Sequence, residues 1–344
     1  MTVQGQGNRD VRVPFCFHLL HNSEFFWFEH LSSPFVCFLK NFKSRGKYTT
    51  FSFFTGVFSY FLSVPPHIFN RRFPYFTTGV DKVIDIDLAS FFDNIHHDIL
   101  LEKVAERLQD GEVLHLIKVI CQTAGKRGVP QGGVLSPLLA NIYLNEVDKM
   151  LEKAKAATGA VIYARYADDL VILVKPGKWL EKVNRRLLEE LARIKVTVNE
   201  EKSQIVNMEE GKSFNFLGFE FRMIKGRNGK YRPDYKPNRK ARKTLLEKLR
   251  LLFKAYESKP IEGLVKKANP ILRGWLNYFR IGNSSRAFGY VRNWVERKLR
   301  RHAMKARQRK GYGWKRWSRE GIVAKSGIYD DYKIRYYRPK ALTG

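Results

Sequence analysis

The segment YARYADDLVILVK, from Tyr163 to Lys175, places two adjacent aspartates between two apolar runs rich in β-forming residues. Two short runs of this kind around a polar pair are typical of a β-hairpin, with Asp168 and Asp169 near its turn. A carboxylate among apolar strands is costly unless it has a partner. That partner is an arginine, a set of backbone N–H groups or a metal ion, and the segment alone leaves all three open.

A second pair of carboxylates lies upstream, in the segment VIDIDLASFF. Asp85 and Asp87 are two residues apart, so on a strand they share one face. Taken singly, such an aspartate is as well explained by helix capping or by a basic partner. Several carboxylates in the apolar strands of one domain, however, repel one another unless a cation neutralises them. Mg²⁺ suits such oxygen ligands, and two ions roughly 3.5–4 Å apart support phosphoryl transfer.

The charge balance indicates the kind of partner. The 344 residues include 63 Lys and Arg against 33 Asp and Glu, a formal net charge of +30. An excess of this size indicates a polyanion such as nucleic acid. Because 44% of the residues are hydrophobic and 14% aromatic, a folded basic protein is favoured over a basic tail. Three widely spaced cysteines form no CxxC pair, which disfavours a disulfide framework or a zinc site and favours a reducing, cytoplasmic setting.

Residues 1–79 differ from the rest of the chain. They are rich in phenylalanine and follow neither helical nor strand periodicity. Between Tyr48 and Asn70 there is no charged residue, so a membrane segment has to be considered. Ser, Thr and the Pro65–Pro66 pair interrupt that stretch, and we therefore expect no membrane association.

The remaining chain divides into two predicted regions. Residues 80–235 show the order β-α-α-β-β-α-β-β, which predicts an α+β domain with an antiparallel sheet. Pro233 and Pro237 mark a boundary. Residues 236–344 are predicted to be helical and are strongly basic.

Five palm blocks and a maturase-like segment in this part of the chain resemble reverse transcriptases encoded by group II introns. YADD and the upstream DIDLASFFDNI are similar to the palm of these enzymes, and GVPQGGVLSPLLANIYLNEVD is similar to their next diagnostic block. VNEEKSQIV and FNFLGFEF resemble the last two palm blocks, and NPILRGWLNYFRIGNSSRAFGYVRNWVERKL resembles the maturase region. The resemblance runs from about Val80 to the end. It implies a right-hand polymerase palm followed by an all-α, basic thumb and maturase region.

The resemblance assigns roles to particular carboxylates. Asp87, Asp168 and Asp169 align with the catalytic, metal-binding aspartates of the family, which implies Mg²⁺ as the cofactor, with two ions. Asp85 falls two residues before the pattern and is expected to support the site by holding a basic residue.

Further residues are implied to contact nucleotide, primer or template. Phe92 falls where the family places an aromatic ring under the sugar, although Phe91 or Phe92 is equally explained as core. Gln131 and Gly132, with Gly133, form a loop predicted to approach the template or the incoming nucleotide. Lys202 is expected near the primer or the triphosphate, the alternative being a solvated surface lysine.

The basic C-terminal region interleaves cations with aromatic rings, as an RNA-binding surface requires. The residues predicted to contact RNA are Arg273, Arg280, Arg292, Arg297, Lys298, Arg300 and Arg301. The interleaved rings are Trp275, Tyr278, Phe279, Phe288, Tyr290, Trp294, Trp314 and Trp317. We expect more of these rings to lie in the core of the helices than to contact RNA.

The implied function is an RNA-directed DNA polymerase that adds deoxynucleotides to a DNA primer on an RNA template and assists splicing and mobility of its intron. Partners are then intron RNA, template, primer and deoxynucleotides, with no small-molecule cofactor. The chain ends without a His/Cys cluster, so no endonuclease chemistry is expected.

Alternatives remain open because the basic blocks of the family's fingers region are not found before Asp81. Residues 1–79 are a divergent fingers domain or a frameshifted or rearranged segment. In the second case the protein is an RNA-binding maturase with a silent polymerase. A reverse transcriptase recruited to defence is a third reading. An RNA polymerase is disfavoured, since that class usually carries GDD and Phe92 occupies the sugar-gate position.

Overall fold

Two antiparallel sheets organise residues 82–229 and 231–335, the parts of the chain that the computed structural model describes. One sheet has four strands in the order β2-β3-β1-β4, and the other has three in the order β5-β6-β7. The strands are β1 (Lys82–Ile86), β2 (Val161–Tyr166), β3 (Asp169–Val174), β4 (Gln204–Asn207), β5 (Ser213–Phe216), β6 (Phe219–Lys225) and β7 (Tyr231–Pro237). The predicted α+β class with an antiparallel sheet is confirmed. The predictions for residues 1–79 lie outside the described residues.

Six helices accompany the strands and four follow them in the described ranges. They are α1 (Phe91–Asn94), α2 (His97–Ala105), α3 (Gly111–Gln122), α4 (Ser136–Tyr143), α5 (Asn145–Thr158), α6 (Trp179–Arg193), α7 (Arg239–Ala255), α8 (Ile261–Phe279), α9 (Ser285–Lys305) and α10 (Arg319–Ser326). None of them is both long and apolar enough to cross a membrane.

The apolar spacing of residues 97–122 predicts one helix, whereas the structure has α2 and α3 there, and the side chain of Asp110 explains the break. Its Oδ1 accepts hydrogen bonds from the N–H groups of Glu112 at 3.1 Å and Val113 at 3.3 Å. An N-cap of this kind satisfies amides that have no partner inside the helix, so a new helix starts here. The chain between α2 and α3 can therefore turn, and the two helices pack against each other.

The predicted hairpin around the two aspartates is confirmed. Tyr166 pairs with Asp169, which leaves Ala167 and Asp168 as a two-residue turn. Ala167 has a φ of +54°, a left-handed conformation that tight hairpins use and that a residue with a Cβ adopts at some cost. Residues 170–174 of β3 are all buried, because this strand lies between β2 and β1.

The strand β7 was not predicted, because its two prolines were read as a domain boundary. Pro233 pairs with Met223 and Pro237 with Phe219 across the β6–β7 ladder. β7 is the edge of its sheet, where one side of the strand makes no ladder and a missing N–H is tolerated. The helical region begins one residue later, where the Asn238 side chain caps α7 by accepting from the Ala241 N–H at 2.8 Å.

The last helices and the second sheet share one hydrophobic core. Phe214, Phe219 and Phe221 on the sheet pack with buried leucines of the helices, among them Leu249 on α7 and Leu276 on α8. Each such side chain removes apolar area from water, worth about 1.5–3 kcal/mol per residue. The basic helices are therefore a folded extension of the sheet domain.

Arg300 lies inside this region and joins α9 to the loop before α10. Its side chain is 2% exposed. Its Nε and Nη2 donate to Glu296 Oε1 at 2.9 and 2.8 Å, and Nη1 donates to the Trp317 carbonyl at 2.8 Å. The second oxygen of Glu296 accepts from Arg319 Nε at 2.7 Å. The buried charges are thus paired and hydrogen-bonded on both sides.

Replacing Arg300 by alanine is expected to lower the free energy of unfolding by roughly 3 kcal/mol, because Glu296 would keep a buried charge with half of its partners. The neighbouring Arg301 is exposed and is the matched control, with an expected change within about 0.5 kcal/mol for Arg301→Ala. Urea denaturation of both variants measures the difference. Equal destabilisation by the two substitutions would contradict the structural role of Arg300.

Candidate active site and nucleic-acid interface

Strand register brings three aspartates to the same face of the four-stranded sheet. β1 and β3 pair with Asp85 opposite Val171 and Ile86 opposite Leu170. Continued by one pair, this register sets Asp87 opposite Asp169. Residues that face each other across antiparallel strands point to the same side of the sheet, and so do residues two apart on one strand. Asp168 lies beside them in the hairpin turn.

The carboxylates lie close enough to act on one another's charge. Partial burial raises the pKa of Asp169, and the negative charges of Asp168 and Asp87 raise it further. Burial also raises the pKa of Asp85 to about 6, with smaller upward contributions from Asp169 and Asp87 and an opposing one from a hydrogen bond. Both shifts come first from partial removal of the carboxylates from water and then from one another's charge, and a bound cation would oppose both effects.

Within the described part of the chain, Asp85 bonds to an amide instead of the basic residue expected of it. Its Oδ2 accepts from the amide of Gln204 at 3.2 Å, across the β1–β4 pair. A neutral amide leaves the charge of Asp85 within the cluster, so this residue adds a fourth carboxylate to the site. The sequence placed Asp85 on the correct face but assigned it the wrong partner.

Asp87 is held from its backbone and faces a lysine. Its carbonyl accepts from the Asn199 N–H at 2.8 Å, and its own N–H donates to Ser203 Oγ at 3.1 Å. Lys202 Nζ lies 3.5 Å from Asp87 Oδ2, with 67% of the lysine side chain exposed. An exposed pair of this kind adds about 0–1 kcal/mol to stability, so Lys202 can exchange partners readily.

Arg165 supports the hairpin turn, and sequence reasoning missed it. Its side chain is 9% exposed. Its Nε donates to Asp148 Oδ1 at 2.9 Å, and its Nη2 donates to the other oxygen of the same carboxylate. Its Nη1 donates to Asn141 Oδ1 at 2.8 Å and to the Ala167 carbonyl at 3.0 Å. The guanidinium thus ties α4 and α5 to the turn that carries Asp168. The signal in the sequence was an arginine three residues before the aspartates, with no indication of its partners.

Phe92 and the glutamine loop, predicted separately, lie against each other. Phe91 is 2% exposed and belongs to the core, whereas Phe92 is half-buried. The two rings meet edge-on with centroids 5.7 Å apart. The Phe92 carbonyl accepts from the Val129 N–H at 2.8 Å, and Gln131 Nε2 donates to Asp93 Oδ1 at 2.9 Å. The loop is therefore bonded to the short helix α1 that carries Phe92.

Gly128 permits this close approach. Its φ is +87°, and a Cβ added there would lie 2.9 Å from the carbonyl oxygens of Phe92 and Asp93. Any side chain at this position would separate the two segments. Gly132 also has a positive φ, of +79°, but a Cβ there would meet nothing within 4 Å. Glycine is therefore favoured at this position by the backbone conformation and not by a lack of space.

Helix α8 comes near the end of the four-stranded sheet that carries the aspartates. The Tyr278 hydroxyl donates to the Leu217 carbonyl at 3.0 Å, in the turn between β5 and β6. Burial raises its pKa to about 12, with further upward contributions from Tyr166 and Asp169. A residue of the basic helical region thus lies within electrostatic reach of the aspartates.

The seven cations predicted to bind RNA are not equivalent in the structure. Arg273, Arg297 and Arg301 are exposed, and Lys298 is half-buried with its Nζ 5.4 Å from the centre of the Trp294 ring. These four remain predicted contacts, and the other three have partners inside the protein.

Arg280 and Arg300 are corrections to the sequence prediction. Arg280 is buried, and its guanidinium donates to Asp331 Oδ2 and to the Tyr329 hydroxyl, both at 3.1 Å. Arg300 is enclosed by Glu296 and the loop before α10, as described above.

Arg292 is partly exposed but donates through Nε and Nη2 to both oxygens of Asp330, at 3.0 and 2.7 Å. A guanidinium whose N–H donors already bind a carboxylate in this way has no free pair of donors for a phosphate.

The chemistry of the cluster is that of hard oxygen donors. Among residues 82–229 and 231–335, no three His, Cys, Asp or Glu side chains stand close enough to hold a metal ion by themselves. The aspartates nevertheless fit a divalent cation, because they repel one another and offer the hard oxygen donors that Mg²⁺ prefers. Their assignment as metal ligands stays a prediction.

The fold and the cluster together define a class, the nucleic-acid polymerases with a palm of reverse-transcriptase type. Residues 62–221 match the sequence profile of the reverse transcriptase (RNA-dependent DNA polymerase) family, and residues 242–320 match the maturase-specific domain of group II introns. Over these two segments the chain is similar to the reverse transcriptase/maturases of group II introns. Reverse transcriptase domains use divalent metal ions.

The chain is similar to parts of two curated relatives and of one solved structure. The chain is 34% identical over 214 residues to protein YkfC of Escherichia coli, covering 50% of this chain and 55% of the relative. It is 26% identical over 216 residues to the group II intron-encoded protein LtrA of Lactococcus lactis, covering 42% of this chain and 35% of LtrA. The chain thus spans about half or less of the length of these relatives. An apo telomerase from Candida tropicalis aligns at 16% identity and a TM-score of 0.40, covering 72% of this chain and 49% of the telomerase.

Replacing Arg165 by lysine is expected to loosen the turn that carries Asp168, because a lysine cannot donate to Asp148, Asn141 and Ala167 at once. Loss of two such bonds corresponds to amide exchange about 5- to 30-fold faster in the hairpin. Hydrogen–deuterium exchange on a peptide that spans residues 163–172 measures this. Arg193→Lys, on the exposed end of α6, is the control. Unchanged exchange in the hairpin of Arg165→Lys would show that the guanidinium does not support the turn.

Proposed function

We propose that this protein is an RNA-directed DNA polymerase that adds deoxynucleotides to a DNA primer on an RNA template and also binds intron RNA as a splicing maturase. The observation that carries the proposal is the gathering of Asp85, Asp87 and Asp169 on one sheet face, in a chain that continues into a maturase-specific domain. A structural role alone does not explain carboxylates placed so that they raise one another's pKa.

In this proposal Asp87, Asp168 and Asp169 hold two Mg²⁺ ions, with triphosphate oxygens completing the coordination. When bound, the ions supply positive charge at the attacking primer hydroxyl and at the leaving pyrophosphate. Lys202, beside Asp87 and largely exposed, is positioned to contact the phosphates of the same substrate. Gln204 and the backbone bonds of Asp87 keep the carboxylates in place before the substrate binds. Holding reactants in fixed geometry supplies a large part of such a rate enhancement.

Phe92 is proposed as the residue that selects the sugar. Its neighbour Phe91 fills the core, which leaves the half-buried Phe92 ring available to a ligand. The loop that contains Gln131 holds the backbone of α1 in place through Gly128 and Val129. A ring fixed in this way would collide with a ribose 2′-hydroxyl and accept a deoxyribose.

The maturase activity is proposed for the basic helices, with the exposed Arg297 and Arg301 on α9 among the phosphate contacts. The relative LtrA is named as a group II intron-encoded protein, which supports this assignment. The second candidate, a maturase with a silent polymerase, rests on the absence of the fingers blocks from residues 1–79.

Asp168→Asn is expected to abolish primer extension with Mg²⁺ and deoxynucleotides, because one metal ligand loses its charge, while RNA affinity stays within about twofold of wild type. Arg297→Gln with Arg301→Gln should do the reverse. This pair should weaken RNA binding and lower the slope of log affinity against log salt by roughly 1–2, about 0.7–0.9 for each lost phosphate contact. Wild-type protein that binds intron RNA and promotes splicing but extends no primer would support the silent-polymerase maturase instead.

Phe92→Ala is expected to raise the incorporation of ribonucleotides much more than it lowers that of deoxynucleotides, because the ring would no longer exclude the 2′-hydroxyl. Single-turnover extension of one primer–template with each nucleotide type measures the ratio. A substitution at the core neighbour, Phe91→Leu, should reduce stability without shifting the sugar preference. An unchanged ratio in Phe92→Ala would assign Phe92 to packing.

A further inference from the structure

Two aromatic side chains among the described residues 236–335 are exposed. Tyr290 is 52% and Trp314 is 54% exposed, whereas the other interleaved rings are buried or packed against the core. An exposed tryptophan leaves a large apolar surface in water, and a site for a flat ligand is one reason to keep it there. Trp314 lies in the loop between α9 and α10.

A buried cation supports the Trp314 ring. The guanidinium carbon of Arg300 lies 4.2 Å from the ring centroid. Arg300 is itself fixed by Glu296 and by the Trp317 carbonyl. A cation against a ring attracts its electron-rich face, and here the cation cannot move away. The ring is therefore fixed in orientation from the protein side, with more than half of the residue's surface open to solvent.

The loop around Trp314 is closely packed. Gly313 has a φ of +64°, and a Cβ there would lie 2.7 Å from the Trp317 ring. The Gly313 carbonyl accepts from the N–H groups of Arg316 at 3.0 Å and Trp317 at 3.2 Å. A turn of this kind presents Trp314 in one place, so little ordering cost would accompany binding of a ligand.

The segment of the chain that carries Trp314 is rich in basic residues and contains no acidic residue. The segment from Lys305 to Arg316 contains six basic residues and no Asp or Glu. The exposed ones next to Trp314 are Arg309, Lys310, Lys315 and Arg316. Cations that follow a backbone, next to a ring that stacks on bases, are the features by which proteins hold single-stranded nucleic acid.

We propose that Trp314 is a stacking platform for an unpaired base of RNA, with Lys310 and Lys315 contacting the neighbouring phosphates. The proposal rests on the proposed RNA binding and adds a preference for looped or single-stranded segments. A base inside a duplex has no free face, so a paired helix cannot use the platform. The platform thus selects among RNA structures, whereas the phosphate contacts alone do not.

The experiment uses the full chain with two probes, a 12-nucleotide unpaired RNA that carries 2-aminopurine and a 12-base-pair RNA duplex. Trp314→Ala should weaken binding of the unpaired RNA about 5- to 100-fold and change duplex binding by less than about twofold. Trp314→Phe should retain most of the affinity. Leu251→Ala, at a 68% exposed apolar residue without a ring, is the control and should change neither.

Two further readouts separate stacking from charge. The fluorescence quenching of 2-aminopurine on binding should be smaller with Trp314→Ala than with wild type, because the ring is gone. Lys315→Ala should lower the salt slope for unpaired RNA by about 0.7, whereas Trp314→Ala should leave that slope unchanged. If inorganic polyphosphate competes better against wild type than against Trp314→Ala, the loop is an acceptor for acidic partners and the base platform is overturned.

Equal loss of affinity for both probes in Trp314→Ala, or no loss for either, would also overturn the proposal. The polymerase assignment is tested independently. If the wild-type protein extends no primer but Trp314→Ala shows the probe-specific loss of affinity, the base platform stands and the polymerase assignment is wrong. If the wild-type protein extends primers but Trp314→Ala binds both probes as wild type does, the polymerase assignment stands and the platform is wrong.

Discussion

The antiparallel pairing of β1 with β3 is the contact on which the candidate site depends. In its register Asp85 and Asp87 share one face with the buried Val83, while Ile84 and Ile86 fill the apolar core on the other face. A slip of one residue would turn both carboxylates into that core. Burial of the apolar face therefore enforces the register, and the register places the charges. The same packing energy that folds the sheet gathers the aspartates.

Gathering like charges has a cost, and the surrounding structure limits it. Burial raises the pKa values of Asp85 and Asp169, and repulsion among the carboxylates raises them further. Backbone bonds to Asp87 and the Arg165 clamp on the turn prevent the carboxylates from moving apart. Rigid support of this kind is what a site requires if a cation and a triphosphate are to complete it. The left-handed Ala167 in the turn is a local strain of the kind that functional sites retain.

Positive charge serves two different purposes in the helical region. Arg280 and Arg300 lie inside the protein, where each is paired with an acid and bonded to carbonyls. The exposed cations of α9 and of the loop after it have no such commitment to the interior. One buried arginine also supports an exposed ring, so the two groups meet at Trp314. A net charge of +30 therefore overstates the number of cations available to RNA.

Sequence by itself determined the features that depend on neighbours along the chain. The hairpin at Asp168, the shared face of Asp85 and Asp87 and the order of the family blocks all follow from local periodicity and motif spacing. The strand β7 was missed because its prolines are acceptable only at a sheet edge, and local periodicity does not show which strand lies at the edge.

Only the tertiary structure decided which side chains have partners far away in the sequence. Asp148 lies 17 residues from Arg165, and Gln131 lies 38 residues from Asp93. The sequence does not distinguish Arg300 from Arg301, yet one is buried and the other exposed. Burial depends on which face of α9 meets the core and on the loop that closes over it. The roles of these cations therefore follow from packing between elements, which residue type and spacing do not encode.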